Sequence, residues 1–222
     1  TVAMRGGIHQ IPYALLSARG SIDASGPVAL SNQTPAVRGM LMHAGTTITR
    51  DEVVQRASIP GQNPDLAEVG QDQRYAQQSA DQFFEQWFGA DKTFIRQSAA
   101  RVACSGDCSS SVATLGSRVV WLEGNARLSS GNLGSVTAPV IIIATGPLQL
   151  SGSVRITGIV YSMAPTTTLQ LSSGSVDGAV IAENALNVSQ GGRLSYNPAV
   201  LQRAQSTLGR FVPVPGSWSD GE

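Results

Sequence analysis

Histidine, lysine and aromatic residues are all scarce in this chain. Of 222 residues only two are His, Lys92 is the sole lysine, and Phe, Trp and Tyr together make 5%. With His9 and His43 as the only imidazoles, neither in a paired spacing, a zinc site or a Ser-His-Asp triad has almost nothing to draw on, and both read as surface or packing residues. The Gly-x-Ser-x-Gly elbow, the Walker loop, the dinucleotide fingerprint and the His-Glu-x-x-His pair are also missing. Charged residues make 14% and the formal net charge is zero, so no polybasic segment exists to hold nucleic acid or lipid. No apolar run approaches the roughly 18 residues that span a bilayer, and no charged-apolar-small leader precedes Thr1. The chain therefore reads as a soluble fragment. Because Thr1 is not an initiator Met, an N-terminal segment is expected to have preceded it.

Cysteine is nearly absent too. Cys104 and Cys108 sit in CSGDC, a Gly-containing loop that can curl until two Cβ atoms reach bonding range. Half a zinc site or two free thiols are the alternatives, but further soft ligands are lacking. A disulfide is the preferred reading, and it implies an oxidising compartment. Carboxylates offer little catalytic chemistry. Glu123, Asp177 and Glu183 stand singly beside glycines or asparagines, as solvated turn residues do. A glycosidase needs two acids about 5 to 9.5 Å apart in a cleft. We expect no enzyme, no cofactor and no metal.

What the chain has in quantity is Gly, 24 in all, with Ser, Thr, Val, Ile and Leu in short alternating runs. Self-comparison finds one phrase five times: IDASGPVAL from Ile22, ARLSSGNLG from Ala126, LQLSGSVRITG from Leu148, LQLSSGSVDG from Leu169 and LNVSQGGRLS from Leu186. Between the later copies lie continuous apolar runs: PVIII from Pro139, GIVYS from Gly158 and GAVIA from Gly178. The unit is about twenty residues, three short strands joined at Gly or Ser-Gly corners, with alternate side chains inward. Stacked units bury a ladder that no single unit buries alone, which predicts an all-β parallel β-helix (β-solenoid). Leu150 and Leu171 are expected at equivalent inward positions on adjacent coils. A β-sandwich also has short strands at such spacing, but does not require one shared phrase.

Residues 1–50 read as the N-terminal part of the solenoid, 51–117 as a helical insertion with the disulfide loop, 118–196 as the main coils, and 197–222 as a helix and extended tail. Within the insertion, Asp81 is expected to cap a helix carrying Phe83, Phe84, Trp87 and Phe88 and ended by Gly89, and Asp91 a second helix through Arg101. The aromatic face should pack against the solenoid; the alternative is a surface for a partner. Asn197-Pro198 starts a short helix, and Trp218 should pin the tail. Arg127, Arg155 and Arg193 fall in the alternating parts of repeats. They read as separate solvent-facing residues, with contact to a polyanion such as DNA as the sharper alternative.

The order of ARGSIDASG, DQFFEQWFGADKTFIRQSA, the two cysteines, VVWLEGNARLSSGNLGSVTAPVIIIATGPLQLSG, GAVIAENALNV, YNPAVLQ and PGSW resembles the C-terminal region of PilX-type pilus assembly proteins, minor pilins of the type IV pilus. The coils alone would equally suggest a bactofilin. The resemblance implies a head displayed in the periplasm or outside the cell, anchored in the inner membrane or pilus through an N-terminal helix not present here. It also implies other minor pilins and the pilus machinery as partners, with roles in priming, adhesion, motility or DNA uptake. The other readings are a surface module binding polysaccharide or DNA, and a bactofilin-like scaffold.

Overall fold

The computed structural model describes residues 2–5, 8–116, 118–207 and 210–213, with side chains for 8–116, 118–206. The chain is a parallel β-solenoid with three ladders, one per strand of the repeat unit. The first ladder stacks Ala100–Asp107, Val119–Leu128, Val140–Ala144, Arg155–Ser162, Ser175–Ala182, Leu16–Ala18, Met42–Ala44 and Glu68–Val69. The second runs from Val119–Leu128 through Leu148–Gly152, Thr166–Leu171, Ala185–Val188 and Ile22–Ala24 to Ile48–Arg50. The third begins at Asn132–Leu133 and ends at Gln55–Ala57.

The rungs do not stack in chain order. Ser175–Ala182 pairs with Leu16–Ala18, so the N-terminal rungs lie beyond the C-terminal ones. The chain lays down the far end first, returns along the solenoid through residues 72–99, and starts again at Ala100. This return strap holds three short helices, α1 (Gln73–Ala76), α2 (Ala80–Phe88) and α3 (Lys92–Ser98). The helical insertion is thus shorter than 51–117, because Gln55–Ala57, Glu68–Val69 and Ala100–Asp107 are rungs. After the strap come α4 (Ser109–Leu115), beside the first rung, and α5 (Pro198–Thr207). Val2–Arg5 and Arg210–Pro213 form a separate antiparallel ribbon. Trp218 lies outside the described residues.

Alternation makes the core. Val120, Ile142, Val160, Val180, Leu16 and Met42 form one inward row of the first ladder, all buried. Leu150 pairs with Leu169, and Leu171 pairs with Gly152, so the expected Leu150–Leu171 equivalence is displaced by two residues. An offset of two keeps every side chain on its original side, so Leu150 and Leu171 are both buried all the same. Between Leu150–Leu169 on the second ladder and Arg155–Ser175 on the third, the longer corner SSG takes up one residue more than SG, while the leucines themselves are displaced by two.

At one end the apolar rows stop in charge. The rows through Val188–Ala24, Leu194–Leu30 and Leu16–Met42 continue into Arg50, Arg56 and Glu68. With Asp65 these form a network: Arg50–Asp65 2.7 Å, Arg50–Glu68 3.1 Å, Arg56–Asp65 2.5 Å, and Arg56–Glu68. The Arg56 guanidinium holds the Asp65 carboxyl below its ordinary pKa. Charged side chains at a terminal rung protect it from stacking on another chain.

Candidate interaction surfaces

The outward row of the first ladder runs Arg101, Trp121, Ile143, Tyr161, Ile181, Ser17, His43, Val69. The strap covers its middle. Helix α2 is set by a capping box in which Ser79 and Gln82 exchange side-chain and backbone bonds, so Ser79, not Asp81, is the cap. Gly89 ends it in the left-handed conformation at φ 65°. One face carries Phe83, Phe84, Trp87 and Phe88, all buried. Phe84 and Phe88 stack at 4.4 Å, and both meet the Tyr161 ring at 5.2 Å. Phe84 also approaches Trp121 at 6.3 Å. These rings are core, and the face is not available to a partner. Asp91 caps α3 as expected, but the helix stops at Ser98, because Ala100 is already a strand residue.

Two polar clusters under the strap were not legible in sequence. Glu183, expected in solvent, is 3% exposed. It accepts from the Tyr161 hydroxyl at 2.9 Å and pairs with Lys92 at 2.9 Å. Nearby, Arg19 donates to the Glu183 carbonyl, the Gln78 carbonyl and Asn184 Oδ1, joining strap to rung. The second cluster is Asp72–His43–Tyr13. His43 Nε2 lies 2.6 Å from Asp72 Oδ2, and Nδ1 bonds the Tyr13 hydroxyl. Burial pushes the His43 pKa down against the pull of Asp72. A neutral ring satisfies both neighbours by donating from Nε2 to the carboxylate and accepting from Tyr13 at Nδ1. Arg74, ahead of His43, holds the Asp72 carboxyl well below the usual range. This order of acid, imidazole and hydroxyl resembles a hydrolase relay. Yet His43 is 1% exposed and stacks on Tyr75 at 4.2 Å, so the cluster fastens the strap.

The other acids stay apart. Glu123 pairs with Arg96 at 2.7 Å, and Asp177 accepts from Asn197 at 2.9 Å. Among the described residues no three His, Cys, Asp or Glu side chains gather as a metal site, and no helix is long and apolar enough to cross a membrane.

The open surfaces are the second and third ladders and the first rung. Outward along the second ladder run Asp107, Arg127, Gln149, Thr168, Asn187, Asp23 and Thr49. A shallow groove of about 440 Å³ lies here, between Asn125, Arg127, Gln149, Thr166, Thr168 and Gln170. Gln149 donates to Gln170 at 2.7 Å, and Arg127 to Ser151 at 3.1 Å. Arg155 and Arg193 lie on the third ladder, on either side of Ser175 in one row. Strand spacing puts them about 10 Å apart. Arg127 belongs to another face, so the three arginines do not line one groove. Cys104 and Cys108 are joined, with Cα atoms 6.0 Å apart, where the terminal rung turns into α4.

The comparisons supply no relative to set beside this geometry: no family model, no curated protein and no solved structure matches the chain.

Proposed function

We propose that this chain is a passive interaction module displayed outside the cytoplasm, the head of a minor pilin that takes part in type IV pilus assembly. The observation that carries the non-catalytic part is the fate of its ionisable groups. Glu183, Lys92, His43 and Asp72 are consumed in bonds that fasten the strap, Asp65 and Glu68 are held by Arg50 and Arg56, and Glu123 and Asp177 stand singly on the rungs. A scaffold of stacked rungs with one face sealed and one end closed by charge suits presentation of surfaces to partners. The Cys104–Cys108 bond supports an oxidising compartment. The order of motifs given above favours a pilin over a bactofilin-like scaffold, and the charged terminal rung opposes open-ended stacking. Partner contacts by the head are then modest, and anchoring in one membrane raises their effective concentration.

The test is genetic. Deleting the full-length gene in its host should reduce surface pili, and re-expressing the head alone should not restore them. Restoration by the isolated head would refute the anchoring mechanism and favour a diffusible binding protein. A second reading rests on the groove beside Arg127, Gln149 and Gln170, whose amides and hydroxyls suit a neutral polysaccharide better than DNA. Binding of a glycan that Gln149→Ala weakens would support it.

A further inference from the structure

The two ends of the solenoid are built differently. One closes in the Arg50–Arg56–Asp65–Glu68 network; the other begins with Ala100–Asp107, an eight-residue strand that among the described residues pairs only with Val119–Leu128. It contains no Pro and no Lys, the residues that usually blunt an edge. Cys108 N donates to the Arg127 carbonyl, and the Cys104 carbonyl lies toward Gly124. Even-numbered residues therefore point their amide groups at the inner neighbour. Arg101, Ala103, Ser105 and Asp107 point theirs at the free edge, and all four are exposed. Arg101 has no hydrogen bond or ion pair among the described residues. Asp107 is held in place, accepting from the Ser109 amide at 2.9 Å and the Ser109 and Ser129 hydroxyls, which keep its carboxyl below its ordinary pKa.

This edge is complementary to itself. Laid antiparallel on a second copy with Cys104 on the two-fold axis, it places Arg101 opposite Asp107 and Ala103 opposite Ser105. In that register the residues facing each other are those with free amides, so each pair exchanges both backbone bonds. Opposite charges meet at both ends of the ladder. The strand bends as it passes from the first ladder to the second, and the axis through the bend carries one arm onto the other. The exposed residues of α4, Ser110, Ser111, Ala113 and Thr114, are small enough for two copies to approach. A shift of the pairing to either neighbouring register of the same parity would separate Arg101 from Asp107.

We infer that the chain forms a two-fold homodimer by antiparallel pairing of its Ala100–Asp107 edges, fixed in register by reciprocal Arg101–Asp107 pairs. Such an interface is isologous and closes, so it does not propagate into a fibre. It stands apart from the pilin reading and holds or fails without it.

Light scattering coupled to size exclusion across a dilution series tests it with the intact chain. The wild type should reach twice the chain mass at high concentration. Arg101→Asp sets like charges opposite each other and should weaken the dimer at least about tenfold. Ala103→Pro removes a free-edge donor and should leave a monomer. Both changes are at exposed positions of an edge strand, where Pro is tolerated, and an unchanged circular dichroism spectrum certifies the fold. A wild type that is monomeric throughout, or a dimer that survives both substitutions, would overturn the inference.

Discussion

At the scale of single residues, the strap is held by groups whose protonation matters. His43 in the folded chain has a pKa below that of a free imidazole, so the unfolded chain binds the proton more readily. Its contribution to stability is complete above pH of about 6.5 and is lost as pH falls through that value toward the lower folded one. Asp72 is also depressed, so its own contribution persists until strongly acid conditions. We expect the melting temperature to drop between about pH 7 and pH 5, and His43→Gln to flatten the drop. An equal slope in the variant would place the sensitivity elsewhere. These residues show where sequence reading stops. A lone His reads as a surface or packing residue, and a Glu beside a corner asparagine as a solvated turn residue, until the segment that covers them is known. What covers His43 and Glu183 is a strap from elsewhere in the chain, which no local pattern announces. Tyr161 offered a faint signal, a large hydroxyl-bearing ring within GIVYS, but its partners lie on α2 and at Glu183.

At the scale of elements, the strands were legible and their exact pairing was not. Ser-Gly corners and alternating Leu, Val and Ile identify three strands per coil, because corner chemistry and side-chain period are local. Register depends on the whole path of each coil and not on the phrase alone, and Leu171 came to rest beside Gly152 rather than Leu150. The α2 cap was read two residues late for a similar reason, since Asp81 and Ser79 are both competent caps and the tertiary path decides. One corner is unusually tight. Gly178 has φ 147°, and a Cβ there would lie 1.8 Å from the Gly158 carbonyl oxygen, so the backbone itself must move. Gly178→Ala is expected to lower unfolding stability by about 3 kcal/mol or more, read as a shift in the urea midpoint. A shift smaller than that of an exposed Gly131→Ala control would mean that the corner adjusts freely.

At the scale of the whole molecule, the solenoid class and the place of the Ile22 copy on it followed from the repeated phrase, while the order of the rungs did not. Nothing in the phrase distinguishes a rung that stacks on its sequence neighbour from one that waits for the far end of the chain. The seam between Ser175–Ala182 and Leu16–Ala18 is where that distinction is made. The chain can therefore be read as a permuted solenoid: cut it in the strap near Gln78, join its ends, and every rung from Ala100 to Val69 follows the last without a break. Val2–Arg5 and Arg210–Pro213 already pair, so a short Gly-Ser linker from Pro213 to Val2 should suffice for the join. Such a permutant should give the native circular dichroism spectrum, and it should refold faster, because the seam becomes a local contact instead of one that closes a long loop. In the natural order the first rungs made have no inner neighbour until nearly the whole chain has followed. Until then those early rungs have one another for partners, and their inner edge at Leu16–Ala18 stands open as a template for a misplaced strand.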